Sequence, residues 1–509
     1  MMNAVSHHLS TKRYGFAICV AILILCVLIL KAGPVPYENE EVYLLALIKQ
    51  WQPDFLPHDW MYDNVIGTHF VFNTLFGWLA RRLPLEYVGW LGRLLCWAAI
   101  LTALLRLGLS FRIPLWMATV AIALWLLYDQ SLVAHSWMLE TFEAKCLAYL
   151  FVLLALIALQ RQQERLAAIG LGIAFSFHAS VGLLGGTAAY LSLIALRYDL
   201  RRLGICAGLT ILFALPGAIP ILSHVLEDTS TAYESWKFIA LVRAPRHLDP
   251  FSWDRMDILS SYILLLFNIV AYKQSTDTSN LKIIILFQIF LCLIFSFGLL
   301  LSRLEAYHLL KPMPFRLFPL FVLLFFFFHL MALLHHHATL KISPAAIALG
   351  ICALLCLSHP FEELSQRTRK IYRSWTTPED HLTDAFRWVA ENTPRDAVAI
   401  LPPWRSDSFY IARRAQIANW KLLPYGRIET WRERLEALGG NHWDEMRQMP
   451  HFSLAKAMAQ HYNNLPAEAI AAIQAAYGGD YLVSRNRYRF PVLYDTGTYR
   501  VYQLTGVSG

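Results

Sequence analysis

Three carboxylates, Glu38, Glu40 and Glu41, stand within four positions in the stretch PYENEEVYLLAL, residues 36–47. Asp54, His58, Asp59 and Asp63 follow shortly after. A carboxylate can take a proton from a hydroxyl nucleophile when its pKa is raised or a partner stands close. A second polar stretch holds Asp129, His135, Glu140, Glu143 and Lys145, and His178 sits at a break between two apolar runs. Bases dominate later: Arg243, Arg246 and His247 in one segment, Arg303, Lys311 and Arg316 in another. Arg and Lys hold a phosphate by charge and by paired hydrogen bonds. Proton-accepting acids with phosphate-holding bases fit group transfer from a lipid-phosphate donor at a membrane face.

The elements that must position these residues are membrane helices. The chain is 57% hydrophobic and 16% charged, where a soluble protein carries about 25% charged residues. Several apolar runs approach the ~20 residues that cross a bilayer, so the fold class is mainly α, a polytopic membrane protein. The net charge of +8 is then no sign of nucleic acid, since Lys and Arg in short cytoplasmic loops account for much of it. The eight cysteines lie in or beside apolar stretches and form no disulfide or metal-ligand pattern. Lys12 and Arg13 precede an apolar run from Tyr14 to Leu30 with no small-x-small cleavage site after it, which predicts an uncleaved first span with a cytoplasmic N-terminus.

About eleven spans are expected, near 14–31, 86–105, 114–128, 144–160, 165–178, 181–197, 203–222, 258–272, 282–301, 315–334 and 342–358. Arg106 with Arg112, Arg161 with Arg165, and Arg197 with Arg201 and Arg202 mark three loops that fall in the cytoplasm on this scheme, as do 273–281 and the turn at His335, His336 and His337. Residues 68–82 read as a helix at the outer interface rather than a span. The expected division is a membrane domain over 1–359, with an outer loop at 33–67, and a small extracytoplasmic α/β domain over 360–509. There, AFRWVAENTPRDAVAIL predicts helix, turn and strand, and YLVSRNRYRFPVLYDTGTYRVYQL predicts two or three strands around an Asp-Thr-Gly turn.

This plan resembles the GT-C superfamily of integral-membrane glycosyltransferases. PYENEEVYLLAL followed by PDFLPHDWMYD resembles the acidic first outer loop of that group. The chain is also similar to a family of uncharacterised bacterial multi-span proteins related to it, through WMLETFEAK (137–145), FHASVG (177–182), RAPRHLDPFSW (243–253), KPMPFRLFPL (311–320) and RRAQIANWKLLP (413–424). The resemblance implies a GT-C-like bundle, a polyprenyl-phosphate sugar donor, surrounding membrane lipids, an acceptor it does not name, and a bacterial inner membrane. It implies a catalytic acid at Glu40 or Glu41, with Glu38 in reserve and Asp59 as a further candidate. Arg243, Arg246, His247, Lys311 and Arg316 would hold the lipid phosphate, with Lys145 and His178 beside them. Many members carry an Asp-centred motif where this chain has only Glu, so the cofactor is left open, a divalent cation included.

Each residue also has a structural reading. Asp59 before Trp60 could cap a helix, Glu143 and Lys145 could be a buried pair, and Arg316 could reach out to headgroups. A transporter or flippase, or a non-catalytic membrane scaffold for envelope glycan or lipid assembly, are the rival functions. A transporter favours discontinuous helices at paired positions in two halves, and only the break at His178 suggests one. The alternation of basic loops makes the topology testable: reporter fusions are expected to place 197–202 in the cytoplasm and 400–500 outside, and a cytoplasmic 400–500 would overturn the scheme.

Overall fold

Apolar residues without a polar stripe build the larger part of the molecule. In the computed structural model, which describes residues 2–65, 68–127, 130–227, 233–274, 279–336, 360–376, 380–439, 443 and 451–504, five helices are long and apolar enough to cross a membrane. They are Arg13–Lys31, Leu85–Ser110, Leu200–Ser223, Arg255–Gln274 and Lys282–Arg303. Shorter apolar helices are Phe70–Ala80, Leu115–Leu127, Ala144–Gln160, Ala179–Ala195 and Phe318–Ala332. The chain is a multi-pass membrane protein. The expected spans at 14–31, 86–105, 203–222, 258–272 and 282–301 fall on the long helices, and those near 144–160 and 181–197 fall on apolar helices of 17 residues, at the short end of what crosses a bilayer. Residues 68–82 contain a helix, Phe70–Ala80. The expected span at 342–358, Asp129 and His337 lie outside the described residues.

The described chain forms two compact units, each discontinuous in sequence. The first comprises 1–34, 90–218 and 244–375, and the second 35–89, 219–243 and 376–509.

In the first unit, helices pack where small residues let backbones meet. A Cβ on Gly172 would stand 2.5 Å from the Thr210 carbonyl oxygen, and one on Gly217 2.5 Å from the Ser176 backbone. Ser176 Oγ donates to the Phe213 carbonyl at 2.7 Å across the same contact. Close approach through glycine with an interhelical hydroxyl bond is how helices associate in lipid, where apolar burial alone distinguishes nothing. The Phe318–His336 helix is apolar all round, and its residues from Phe318 to Phe325 are almost fully buried, as such a helix must be. Arg93, fully buried, donates to the Gly33 carbonyl at 2.7 Å and stacks on Trp90 at 4.9 Å, so its charge is met beside the end of the first helix.

The second unit is built on a five-stranded mixed sheet. Its strands are β1 (Val398–Ile400), β2 (Ala415–Gln416), β3 (Tyr481–Ser484), β4 (Val492–Asp495) and β5 (Arg500–Gln503), in the order β2-β1-β3-β5-β4. β1 runs parallel to β2 and β3, while β5 is antiparallel to β3 and β4. Helix His381–Asn392 precedes β1 as the sequence pattern predicts; Asp380 caps it, accepting from Thr383 N at 2.8 Å. Leu382, Phe386 and Val389 of this helix pack with Ala399, Val483 and Val501 into one core. β4 and β5 turn at Asp495-Thr496-Gly497, where Gly497 takes φ +85°, a backbone that glycine adopts at low cost, and donates to Asp495 Oδ1 at 2.7 Å.

The fully buried Tyr462 hydroxyl stands 3.0 Å from the Ile400 carbonyl and 2.8 Å from that of Val483, bridging β1 and β3. Tyr462→Phe keeps the ring and removes the only donor. It is expected to destabilise this unit by roughly 1–3 kcal/mol, read by chaotrope unfolding followed through tryptophan fluorescence. An unchanged midpoint would show that the bridge contributes nothing.

Candidate functional site

Each unit carries a polar cluster of its own. In the second, helix Glu40–Trp51 opens at the acidic stretch. Its first residue, Glu40, is fully buried and accepts from Tyr37 N at 3.2 Å, a bond that closes the turn leading into the helix. Glu38 takes a left-handed backbone, φ 53°, and its Oε2 lies 3.4 Å from Lys421 Nζ. Glu41 stands between these groups. Burial, then the Asp407 carboxylate, push its carboxyl up to about 7, with Glu38 adding to the effect and Ser406 and Lys421 opposing it. Its Oε2 is enclosed and has no hydrogen-bond partner among the described residues. Asp407 is itself held in a fork by Arg405, at 2.9 Å to Oδ1 and 2.6 Å to Oδ2, and Arg405 also reaches Asp380 at 2.7 Å.

Trp420 and Lys421 connect this carboxylate group to Arg243. Arg243 Nη2 donates to the Lys421 carbonyl at 3.0 Å, and its guanidinium lies 5.3 Å from the Trp420 ring centre. Arg243 Nε and Trp420 Nε1 are buried without a partner among the described residues, as Glu41 Oε2 is. Buried polar atoms are normally hydrogen-bonded. Three that are not belong to Trp420 itself, to Arg243 stacked on it, and to Glu41, which feels the charge of Lys421. The loop that presents them is set by Asn419, fully buried, whose Nδ2 donates to the Arg405 carbonyl at 2.8 Å while its Oδ1 accepts from Lys421 N at 2.8 Å.

Asp59 behaves differently from Glu41. Fully buried, it caps the short helix Trp60–Asp63 by accepting from Tyr62 N at 2.8 Å, and its other oxygen accepts from Gln416 N on β2 at 2.9 Å. Burial pushes its carboxyl up to about 7, against those two amide bonds. Both oxygens are occupied by backbone, so the geometry gives it a structural tie.

In the first unit, a loop between helices presents a basic cluster. The fully buried Gln130 organises it: Oε1 accepts from Met138 N at 2.8 Å and Leu139 N at 2.9 Å, and Nε2 donates to the Leu139 carbonyl at 2.9 Å. Ala134 and His135 take left-handed backbones, φ 61° and 42°, which for non-glycine residues signals local strain. The loop leads into helix Ala144–Gln160, at whose start Lys145 is buried. Lys145 Nζ lies 3.6 Å from Glu143 Oε2 and 3.0 Å from the Trp137 ring centre. Glu143 accepts at Oε1 from Thr141 Oγ1 at 2.7 Å.

Lys145 and Arg316 lie within electrostatic range of each other, and both act on His247. Arg316 is half-buried. Its Nη2 contacts Met313 Sδ at 2.6 Å and its carbonyl accepts from Tyr149 OH, and it has no carboxylate within ion-pair distance among the described residues. His247 Nδ1 is 2.7 Å from the Ala134 carbonyl, so it must donate there and leave Nε2 as an acceptor. Burial, then Arg316, hold His247 well below the ordinary histidine range, so it stays neutral.

Of the predicted residues, the structure thus gathers Glu38, Glu41 and Arg243 in one unit, and Lys145, His247 and Arg316 in the other. Arg246 and Lys311 are exposed side chains of the first unit. His178 caps helix Ala179–Ala195, with Nδ1 accepting from Val181 N at 3.4 Å. Asp407, Asn419, Lys421 and Gln130 were not singled out by the sequence. Lys421 and Asn419 lie in the quoted RRAQIANWKLLP stretch, and nothing local distinguishes them from surface residues. No group of three or more His, Cys, Asp or Glu among the described residues is arranged to hold a metal ion.

A family model described as a domain of unknown function (DUF6798) matches residues 380–438, the stretch carrying Asp380, Arg405, Asp407, Asn419 and Lys421. No curated protein matches the chain. Among solved structures, the chain is similar to an archaeal oligosaccharyltransferase, AglB from Archaeoglobus fulgidus, in complex with an inhibitory peptide and a dolichol-phosphate. The identity is 12% and the TM-score 0.42, over 93% of this chain and 70% of that one.

Glu41 generates a pH prediction. A raised carboxyl keeps its proton in the folded state where the unfolded chain has lost it. Between its ordinary 4.5 and about 7 the folded protein binds more protons, so stability is highest below that window and falls as pH rises through it, by up to roughly 1.4 kcal/mol per pH unit. Glu41→Gln is expected to flatten that fall in thermal unfolding of the detergent-solubilised protein. The same slope in wild type and variant would mean that Glu41 titrates normally.

Proposed function

We propose that this chain is a membrane glycosyltransferase of the GT-C kind, which moves a sugar from a polyprenyl-phosphate-type donor to an acceptor hydroxyl. The observation that carries the reading is the gathering of Lys145, His247 and Arg316, with no carboxylate opposite Arg316 among the described residues. Glu143 pairs with Lys145 but leaves the half-buried Arg316 beside it without a carboxylate, and two neighbouring cations out of water call for a further anion. A lipid phosphate supplies one, and the planar guanidinium fork suits its oxygens. Neutral His247 would accept a hydrogen bond at Nε2 rather than add charge.

In the transfer, the bond from the sugar anomeric carbon to the phosphate oxygen breaks and one to the acceptor oxygen forms. The phosphate leaves with the electron pair, and Arg316 and Lys145 would stabilise its growing charge. The acceptor proton must go to a base. Glu41 is our assignment, because a carboxyl near 7 is partly ionised at neutral pH and still basic enough to take a proton. Glu40, buried and bonded to Tyr37 N, and Glu38, beside Lys421, are the supporting acids. On the topology implied by the basic loops, the reaction takes place at the outer face of a bacterial inner membrane, and residues 360–509 would be periplasmic.

Two variants test this. Arg316→Ala is expected to weaken polyprenyl-phosphate binding in nanodiscs by about tenfold or more, with Arg316→Lys restoring only part, since an ammonium cannot copy the fork. Glu41→Gln is expected to bind the donor normally and lose roughly 10²–10⁴-fold in turnover. Equal binding by wild type and both Arg316 variants would remove the donor site and leave a scaffold. Unimpaired turnover by Glu41→Gln would remove the base.

A further inference from the structure

The helix Pro360–Thr376 stands outside both clusters. Its sequence holds Arg367, Arg369, Lys370 and Arg373, four bases in seven positions. At 100° per residue, Arg369, Lys370 and Arg373 fall on one face, and Ile371, Tyr372 and Trp375 on the opposite one. Ile371 is buried against the protein at 6% exposure, but Tyr372 is 67% exposed and Trp375 54%. Two large amphipathic aromatics turned outward opposite a basic face are the pattern of a helix lying in a membrane interface. A solvated helix gains nothing from exposing them.

Depth is set by a second observation. Trp375 Nε1 donates to the Ala32 carbonyl at 3.2 Å, one residue beyond the end of the first membrane helix. Its ring stacks on Trp90 at 6.2 Å, near the start of helix Leu85–Ser110. The C-terminal end of Pro360–Thr376 is therefore tied to the level at which one membrane helix ends and another begins. That is the headgroup zone, where tryptophan and tyrosine concentrate.

We propose that Pro360–Thr376 is an interfacial helix that binds anionic phospholipid headgroups. Tyr372 and Trp375 enter the headgroup and acyl boundary, and Arg369, Lys370 and Arg373 contact the headgroup phosphates. The occupant is a lipid surface, because the exposed aromatics are level with the ends of the membrane helices and Arg369, Lys370 and Arg373 stand on the face opposite them. This inference is independent of the transferase reading.

The test uses the full chain with Tyr372 replaced by photoreactive p-benzoylphenylalanine, in nanodiscs of phosphatidylcholine mixed with phosphatidylglycerol. Irradiation is expected to give phospholipid adducts, with phosphatidylglycerol enriched over its bulk share by about fivefold, the ratio that one Lys or Arg near an anionic surface supplies. The enrichment should persist with Arg369→Lys and Arg373→Lys and fall to the bulk share with Arg369→Gln, Lys370→Gln and Arg373→Gln together. Adducts to protein, no adducts, or lipid adducts at the bulk ratio in the otherwise unchanged chain would each overturn the proposal, and that arm needs no charge variant to fold.

Discussion

The carboxylate of Asp59 is the tie on which the second unit depends. It accepts from Tyr62 N in its own segment and from Gln416 N on β2, 357 positions further on. A carboxylate taken fully out of water must find donors for both oxygens, or the loss of hydration outweighs what its folding brings. Asp59 finds them in two backbone amides, and so fixes the early acidic segment against the edge of the sheet. Tyr62 adds a bond from its hydroxyl to the Val42 carbonyl at 2.7 Å, which orients helix Glu40–Trp51 on the same frame. Lys49 of that helix pairs with Asp63 at 2.9 Å and donates to two loop carbonyls, so its buried charge is also met.

Against that satisfied frame, Glu41 stands out. It shares a helix turn with Glu40, yet Glu40 is held by Tyr37 N while Glu41 has an enclosed oxygen without a hydrogen-bond partner among the described residues. Neighbouring residues of one type therefore divide between holding the turn and titrating near neutrality. The same contrast runs through the first unit. Gln130 makes three hydrogen bonds to the backbone of its loop, whereas Arg316 contacts a thioether and, among the described residues, no carboxylate. In each unit a polar residue bonded to backbone stands in the same cluster as a charged one whose bonding is incomplete among the described residues.

Much of the architecture was legible from local pattern. Apolar runs such as ILFALPGAIPIL and IIILFQIFLCLIF leave no choice but a membrane helix, because only a helix satisfies its own backbone in lipid. AFRWVAENTPRDAVAIL declared helix, turn and strand through its period, and the Asp-Thr-Gly turn lies where glycine must take positive φ. The chemical types of the clusters were legible too, since Glu38, Glu41, Lys145, His247 and Arg316 all came from reading charge beside apolar segments.

Their roles were decided by the tertiary structure. Lys421 lies 383 positions from Glu38, and Tyr149 lies 167 from the Arg316 carbonyl it donates to. No window of sequence contains both members of such a pair, so no periodicity can announce them. Asp59 and Glu41 are alike as buried carboxylates, each at the start of a helix; only the arrival of Gln416 N at one, and of Asp407 at the other, makes the first a tie and the second a candidate base. Composition and period determine which segments enter the membrane and which residues are expensive to bury. How each buried charge is met depends on groups brought from far along the chain, and that only folding settles.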